Sequence, residues 1–181
     1  MTTGTPPVIC IIGRKNAGKT ELTVALGAEL NRRGYRVMTA KHGHGFQMDH
    51  PGKDSWRHRH EGGAARTVLA APSDFAVVGN WPRAEMPLSE LVARFLWDAD
   101  IVLAEGFKTD SEPKIEVFRE SPGSEPLYEP GEGESSGTLA LVSDRPHLQL
   151  PIPVFDLNDE GFVSRLADFL EQRFLGGAGP A

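Results

Sequence analysis

Residues 13–20 have the sequence Gly-Arg-Lys-Asn-Ala-Gly-Lys-Thr, from which the class of fold can be predicted. A glycine, four further residues and then Gly-Lys-Thr is the spacing of a phosphate-binding loop. The glycines let consecutive backbone N–H groups turn towards a phosphate, and the helix that begins near Lys19 adds the positive end of its dipole. Lys19 would reach the β- and γ-phosphates, and the Thr20 hydroxyl would ligate Mg²⁺. The predicted phosphate-binding residues are Gly13, Arg14, Lys15, Asn16, Ala17, Gly18, Lys19 and Thr20.

The segments on both sides of this loop argue against a chance glycine turn. Residues 8–12 are a continuous, mostly β-branched apolar run, typical of a strand buried on both faces of a parallel sheet. After the loop, Leu22, Leu26 and Leu30 recur every four residues, which predicts a helix that stops at Gly34. The loop therefore lies between a buried strand and an amphipathic helix.

The rest of the chain alternates strand and helix patterns. We expect strands over 35–40, 101–104, 139–142 and 152–155, and a half-exposed strand over 114–119. Residues 67–71 and 75–78 are expected to form a hairpin. We expect helices over 54–65 and 88–96, and a last helix for which Asn158 is a candidate N-cap. This order predicts an α/β fold of the P-loop NTPase type, with a mostly parallel sheet and helices on both faces. We expect a single nucleotide-binding domain over residues 1–181, with a mobile acidic loop at 121–137 and a frayed tail at 176–181.

Composition narrows the class of protein. No apolar run is long enough to cross a membrane, and no secretory signal precedes residue 8. The one cysteine, Cys10, lies in the first apolar run and cannot form an intramolecular disulfide, which favours the cytoplasm. Residues 1–70 carry a net charge of +6 and residues 71–181 a net charge of −12, so an anionic ligand is expected in the first part. Because basic residues and aromatics do not interleave, we expect no nucleic-acid partner.

A phosphate loop requires a carboxylate near the metal ion. Asp100 precedes the strand at 101–104 and Glu105 follows it. Ligands of an open parallel sheet lie beyond the carboxyl ends of the strands, which places Glu105 on the ligand side. We therefore predict Glu105 and Gly106 at the Mg²⁺ side of the site, although a solvated carboxylate at a strand end is about as common.

Three further acidic residues have two interpretations each. Asp144 follows the strand at 139–142, and could accept hydrogen bonds from guanine or form a turn before Pro146. Asp49 and Asp54 could enter the Mg²⁺ shell or orient water for hydrolysis, while helix capping is the slightly favoured role of Asp54. The predicted catalytic residues are Lys19, Asp49 and Glu105.

Several segments in this order resemble the molybdopterin-guanine dinucleotide biosynthesis protein B (MobB) family. They are the phosphate loop, Lys-His-Gly-His at 41–44, Asp-His-Pro-Gly-Lys-Asp-Ser at 49–55, Glu-Gly-Phe-Lys at 105–108 and Pro-Lys-Ile-Glu-Val at 113–117. The resemblance covers residues 8–175. It implies a GTP-binding protein that uses Mg²⁺, with weak GTPase activity. It also implies a homodimeric adaptor for the molybdenum cofactor guanylyltransferase (MobA-like), with molybdopterin as a further ligand and residues 41–55 closing on nucleotide or partner.

Two departures leave alternatives open. The family often has a second histidine after the position of His44, where this chain has Gly45, and the guanine-reading Asn-Lys-x-Asp sequence is absent. A metal-delivery GTPase could use the histidines at 42, 44, 50, 58 and 60, although their spacing does not ensure convergence. An ATP-dependent kinase or ligase is the other alternative.

Overall fold

The apolar run before the phosphate loop is an inner strand of a parallel sheet. The computed structural model describes residues 4–43, 45, 49–130 and 137–176. The strands are β1 (Val8–Gly13), β2 (Val37–Lys41), β3 (Arg66–Ala70), β4 (Phe75–Gly79), β5 (Ile101–Glu105), β6 (Lys114–Phe118), β7 (Thr138–Ser143) and β8 (Val154–Asp156). Six of them form one sheet in the order β2-β5-β1-β6-β7-β8, and every neighbouring pair is parallel.

Helices cover both faces of this sheet, as the fold class requires. The helices are α1 (Lys19–Arg32), α2 (Asp54–His60), α3 (Leu88–Phe95) and α4 (Phe162–Leu170), and α4 continues as a π-helical segment, Glu171–Leu175. Ile9 and Ile11 pack with α1 and α4, whereas Cys10 and its neighbours on the opposite face pack with α3. Successive residues of a strand point to opposite faces, so β1 contributes to both cores. The predicted α/β fold with helices on both faces is confirmed.

The chain divides into two compact units. One comprises Met1–His42 and Leu88–Ala181 and contains the six-stranded sheet; the other is Gly43–Pro87, with α2 and the β3–β4 hairpin. The hairpin is antiparallel, as predicted. The expectation of one domain over residues 1–181 stays a prediction. Along the described ranges, no helix has the length and apolarity that a membrane crossing requires.

The prediction that residues 114–119 form a half-exposed strand is wrong. The strand β6 lies between β1 and β7, and all five of its residues are buried. Glu116 is only 1% exposed. The alternation of polar and apolar residues is misleading here because the buried carboxylate has hydrogen-bond partners.

Two predicted helix caps are also wrong. The residue before α4 is Gly161, and the Asn158 amide instead donates to the Asp156 carboxylate, 3.1 Å away. Helix α2 begins at Asp54, after Lys53, and ends at His60, so Asp54 is its first residue and no cap. Parts of two other predicted segments lie outside the described residues, namely 131–136 of the acidic loop and 177–181 of the tail.

Candidate nucleotide-binding site

The eight predicted phosphate-binding residues form one continuous loop between β1 and α1. Three of them have a positive φ: Gly13 (144°), Asn16 (62°) and Gly18 (98°). A Cβ at Gly13 would lie 2.3 Å from the Val117 carbonyl oxygen of β6, so only glycine permits this approach. The loop thus provides the tight, inward-turning backbone that a phosphate requires.

Three basic side chains hold the loop in place. Lys19 is the first residue of α1, and its Nζ donates to the Arg14 carbonyl at 2.7 Å. The Arg14 guanidinium donates to the Glu125 carbonyl at 3.3 and 3.4 Å. Arg119, directly after β6, donates to the Ala17 carbonyl at 3.2 Å. Arg119 was not among the predicted site residues, although its position at the carboxyl end of a strand indicates the ligand side of the sheet.

Thr20 and Glu105, the two predicted metal-side residues, are in direct contact. The Thr20 hydroxyl donates to the Glu105 carboxylate, with oxygen–oxygen distances of 2.9 and 3.0 Å. Glu105 is the last residue of β5 and is 9% exposed. It pairs in register with Ile11 of β1, which brings it beside the phosphate loop. Asp100, at the other end of the strand, accepts the Arg36 N–H at 2.7 Å.

A third residue, Lys41, completes this group. It is the last residue of β2 and the register partner of Glu105. Its Nζ lies 3.0 Å and 3.2 Å from the two carboxylate oxygens, and 3.4 Å from the Thr20 hydroxyl. The resemblance placed Lys41 in the segment expected to close on nucleotide or partner, and did not predict its contact with Glu105.

The donor set fits Mg²⁺. Hydroxyl and carboxylate oxygens are the hard ligands that Mg²⁺ prefers, and a positive group already lies between them. The adjoining loop fits a phosphate, because the positive φ angles of Gly13, Asn16 and Gly18 give the curved backbone that directs N–H groups towards an anion. A Mg²⁺–phosphate pair would therefore meet residues suited to both partners.

Gly106 and the residue after it turn the chain away from the site. Gly106 has a φ of 93° and donates its N–H to the Ile11 carbonyl at 3.0 Å. A Cβ at this position would lie 3.2 Å from the His42 Cβ. The rings of His42 and Phe107 pack with their centroids 5.3 Å apart. The predicted Glu105-Gly106 pair therefore lies tightly against the end of β2.

Asp144 lies at the carboxyl end of β7, the same edge of the sheet. Its carboxylate accepts the Glu120 N–H at 2.9 Å, so it connects the segments that follow β6 and β7. Beside them is a cavity of about 480 Å³ lined by Arg145 and residues 120–125. The role of Asp144 in recognising guanine stays a prediction.

Glu116 anchors the described part of the acidic loop. Its carboxylate accepts the N–H groups of Leu127 and Tyr128 at 2.6 and 2.9 Å. Burial raises the pKa of this carboxyl, and the two hydrogen bonds oppose the rise. Tyr128 is 5% exposed, so part of the segment that was expected to be a mobile acidic loop is buried.

The remaining predicted residues belong to the smaller unit. Asp49 accepts the Ser55 hydroxyl at 2.8 Å and lies 3.6 Å from the Arg59 guanidinium. This contact links Asp49 to α2, and its catalytic role stays a prediction. His44 lies outside the described residues, and within the described ranges no three His, Cys, Asp or Glu side chains are grouped to hold a metal ion.

Comparisons with known proteins agree on one family. The family model for molybdopterin guanine dinucleotide synthesis protein B (MobB) matches residues 8–144. The molybdopterin-guanine dinucleotide biosynthesis adapter protein of Haemophilus influenzae is 35% identical, over 91% of this chain and 88% of that protein. The protein of the same name from Escherichia coli is 34% identical, over 91% of each.

Solved structures share the fold. A crystal structure of molybdopterin-guanine biosynthesis protein B is 26% identical, with a TM-score of 0.64 over 91% of this chain and 98% of the other. The MobB homologue of Bacillus stearothermophilus is 24% identical, with a TM-score of 0.65 over 92% and 99%. By its family model, its relatives and its fold, the chain belongs to the molybdopterin guanine dinucleotide synthesis protein B family.

Proposed function

We propose that the chain is a GTP-binding adapter in molybdenum cofactor biosynthesis, which assists the attachment of GMP to molybdopterin. The observation that carries the nucleotide part is the contact of Thr20, Glu105 and Lys41 beside the phosphate loop. The adapter part rests on the two relatives, which are both named molybdopterin-guanine dinucleotide biosynthesis adapter proteins.

In this proposal the backbone of the loop, the Lys19 side chain and the Thr20 side chain have different roles. The backbone N–H groups of residues 13–20 bind the phosphates, and Lys19 turns from the Arg14 carbonyl to the β- and γ-phosphates. Thr20 and Glu105 hold Mg²⁺, which neutralises charge on the phosphate oxygens. We expect slow hydrolysis, because the Glu105 carboxylate would hold Mg²⁺ together with Thr20 and would therefore not be available as a base.

The guanine base would be recognised at the carboxyl ends of β6 and β7. Asp144 can accept hydrogen bonds from the N1 and N2 groups of guanine, which adenine lacks in that arrangement. The adjoining cavity, lined in part by Arg145, has room for a purine ring. Asp144→Ala is therefore expected to reduce the preference for GTP over ATP, measured by competition binding.

Two macromolecular contacts complete the proposal. The first is a homodimer, supported by the exposed apolar side chains of the β3–β4 hairpin, among which Val68 is 64% and Phe75 76% exposed. The second is a guanylyltransferase of the MobA type, with molybdopterin as a shared ligand. We propose that the chain assists GMP attachment in the cytoplasm, where the Cys10 thiol would remain reduced.

The test is a reconstituted GMP transfer to molybdopterin by the matching guanylyltransferase at limiting GTP. We expect the chain to stimulate transfer, and Lys19→Ala to abolish both stimulation and GTP binding measured by calorimetry. The Lys19→Arg variant, which keeps the charge, separates loss of charge from loss of the fold. Unchanged GTP affinity in Lys19→Ala would refute the nucleotide site. An active transferase whose rate the wild-type chain does not increase would refute the adapter role.

A further inference from the structure

The Lys41 ammonium contacts the same oxygen atoms, those of Thr20 and Glu105, that would hold a metal ion. Its Nζ is within 3.0–3.4 Å of both carboxylate oxygens and of the Thr20 hydroxyl oxygen. Mg²⁺ binds oxygen ligands at about 2.0–2.1 Å. An ion held by these oxygen atoms would lie within a few ångströms of the ammonium, so the two positive groups would repel each other and compete for the same carboxylate.

The backbone below Lys41 is held firmly. The residues of β2 pair with β5 up to the Lys41–Glu105 partners, and the next amide, that of His42, donates to the Glu105 carbonyl at 2.9 Å. The His42 ring also packs on Phe107. Strand register therefore fixes the Lys41 backbone, and only the side chain would move when the ammonium leaves Glu105.

The Lys41 side chain, in contrast, can leave. It is 63% exposed, whereas the Glu105 side chain is 12% exposed. A lysine has four rotatable side-chain bonds, and exposed ion pairs contribute little because water hydrates the separated ammonium well. An arriving divalent ion would thus meet a fixed carboxylate and a replaceable monovalent cation.

We propose that Lys41 is an internal competitor of Mg²⁺ for Glu105, a placeholder that keeps the carboxylate oriented towards Thr20 and is displaced when the metal–nucleotide complex binds. This inference rests on the proposed nucleotide site and adds to it the exchange of one cation for another. It makes metal binding weaker than the oxygen ligands alone would allow, and it makes nucleotide binding more dependent on the Mg²⁺ concentration.

The test measures the Mg²⁺ concentration that half-saturates binding of a fluorescent GTP analogue. Lys41→Met keeps most of the side-chain length and removes the charge, so we expect the half-saturating concentration to fall about fivefold. Lys41→Arg keeps a cation and is expected to stay closer to wild type. The matched control is Lys108→Met, which removes an exposed lysine three residues after Glu105 and is expected to shift the midpoint much less.

Each contrary result has a distinct meaning. An unchanged or higher midpoint in Lys41→Met overturns the proposal, and a loss of nucleotide affinity at saturating Mg²⁺ would make Lys41 a phosphate ligand instead. An equal shift in Lys108→Met would reduce the effect to net charge, which also overturns it.

A second readout separates this inference from the proposed function. Mn²⁺ binding to the nucleotide-free chain, followed by water-proton relaxation, should tighten in Lys41→Met and weaken in Glu105→Gln. If the wild type bound no GTP at any Mg²⁺ concentration, the proposed function would fail while this titration still decided the role of Lys41. Equal Mn²⁺ affinity in wild type and Lys41→Met would overturn the competitor role.

Discussion

Glu116 and Tyr128 are joined by a buried hydrogen bond, in which the Tyr128 N–H donates to the Glu116 carboxylate at 2.9 Å. The other carboxylate oxygen accepts the Leu127 N–H. One side chain of an inner strand thereby fixes the backbone of the acidic loop, whose Glu125 carbonyl in turn receives the Arg14 guanidinium of the phosphate loop.

Replacing Glu116 should therefore destabilise the protein. Glu116→Leu leaves two backbone donors without their acceptors, and we expect it to lower the free energy of unfolding by about 2–5 kcal/mol. Glu116→Gln keeps one acceptor and should cost less. Urea unfolding measures both, and Glu125→Gln, an exposed side chain of the same loop, is the control. A Glu116→Leu variant as stable as the control would contradict the anchoring role.

Gly13→Ala should disrupt the junction of β1 and the phosphate loop. The new Cβ would lie 2.3 Å from the Val117 carbonyl oxygen, and the φ of 144° disfavours any side chain. We expect a loss of about 2–4 kcal/mol of stability, measured by thermal or urea unfolding. Gly43→Ala is the matched control, because a Cβ there meets no atom within 4 Å. Similar stability losses in the two variants would rule out this explanation.

Glu29 should contribute to stability only above strongly acidic pH. Hydrogen bonds from Arg32 and Arg33 lower the pKa of this carboxyl from 4.5 to about 2. Because the folded value lies below the unfolded one, the contribution is complete above about pH 4.5 and is lost as the pH falls towards 2. Glu29→Gln should flatten the dependence of the melting temperature on pH in this range. Arg32→Gln should give an intermediate curve, and wild-type acid sensitivity in both variants would contradict the assignment.

Cys10 should be inert to thiol reagents in the folded protein. It is fully buried in β1, and burial raises the pKa of its thiol to about 12. Since the thiolate is the reactive form, we expect labelling by a disulfide reagent at pH 8 to be at least about a hundredfold slower than in the urea-unfolded chain. Equal rates in the two states would show that β1 opens readily.

Sequence patterns that are compatible with only one local conformation predicted their elements correctly. The glycine spacing of the phosphate loop and the apolar run of β1 allow few other conformations, and α3 has an apolar stripe at helical spacing. The expected position of Glu105 on the phosphate-loop side of the sheet was also correct, because the carboxyl ends of parallel strands share one edge. Its direct contact with Thr20 was not predicted.

Features that depend on distant partners were missed. Polar and apolar residues alternate along β6. The same pattern fits a half-exposed strand and an inner strand in which Glu116 accepts hydrogen bonds from Leu127 and Tyr128. A lysine at the end of a strand, such as Lys41, usually faces solvent, and only its register with Glu105 gives it a role. Register is a property of the assembled sheet, so periodicity along one segment does not contain it.

The contact between Thr20 and Glu105 also has a consequence for when the chain becomes competent to bind during its synthesis. These residues are 85 positions apart, and their meeting requires β5 to pair with β1, a non-local contact whose loop-closure entropy exceeds that of local contacts. A nascent chain that ends before β5 carries the whole phosphate loop without its metal-side carboxylate. In the proposed function, Mg²⁺-dependent nucleotide binding would therefore report that the central strands have assembled.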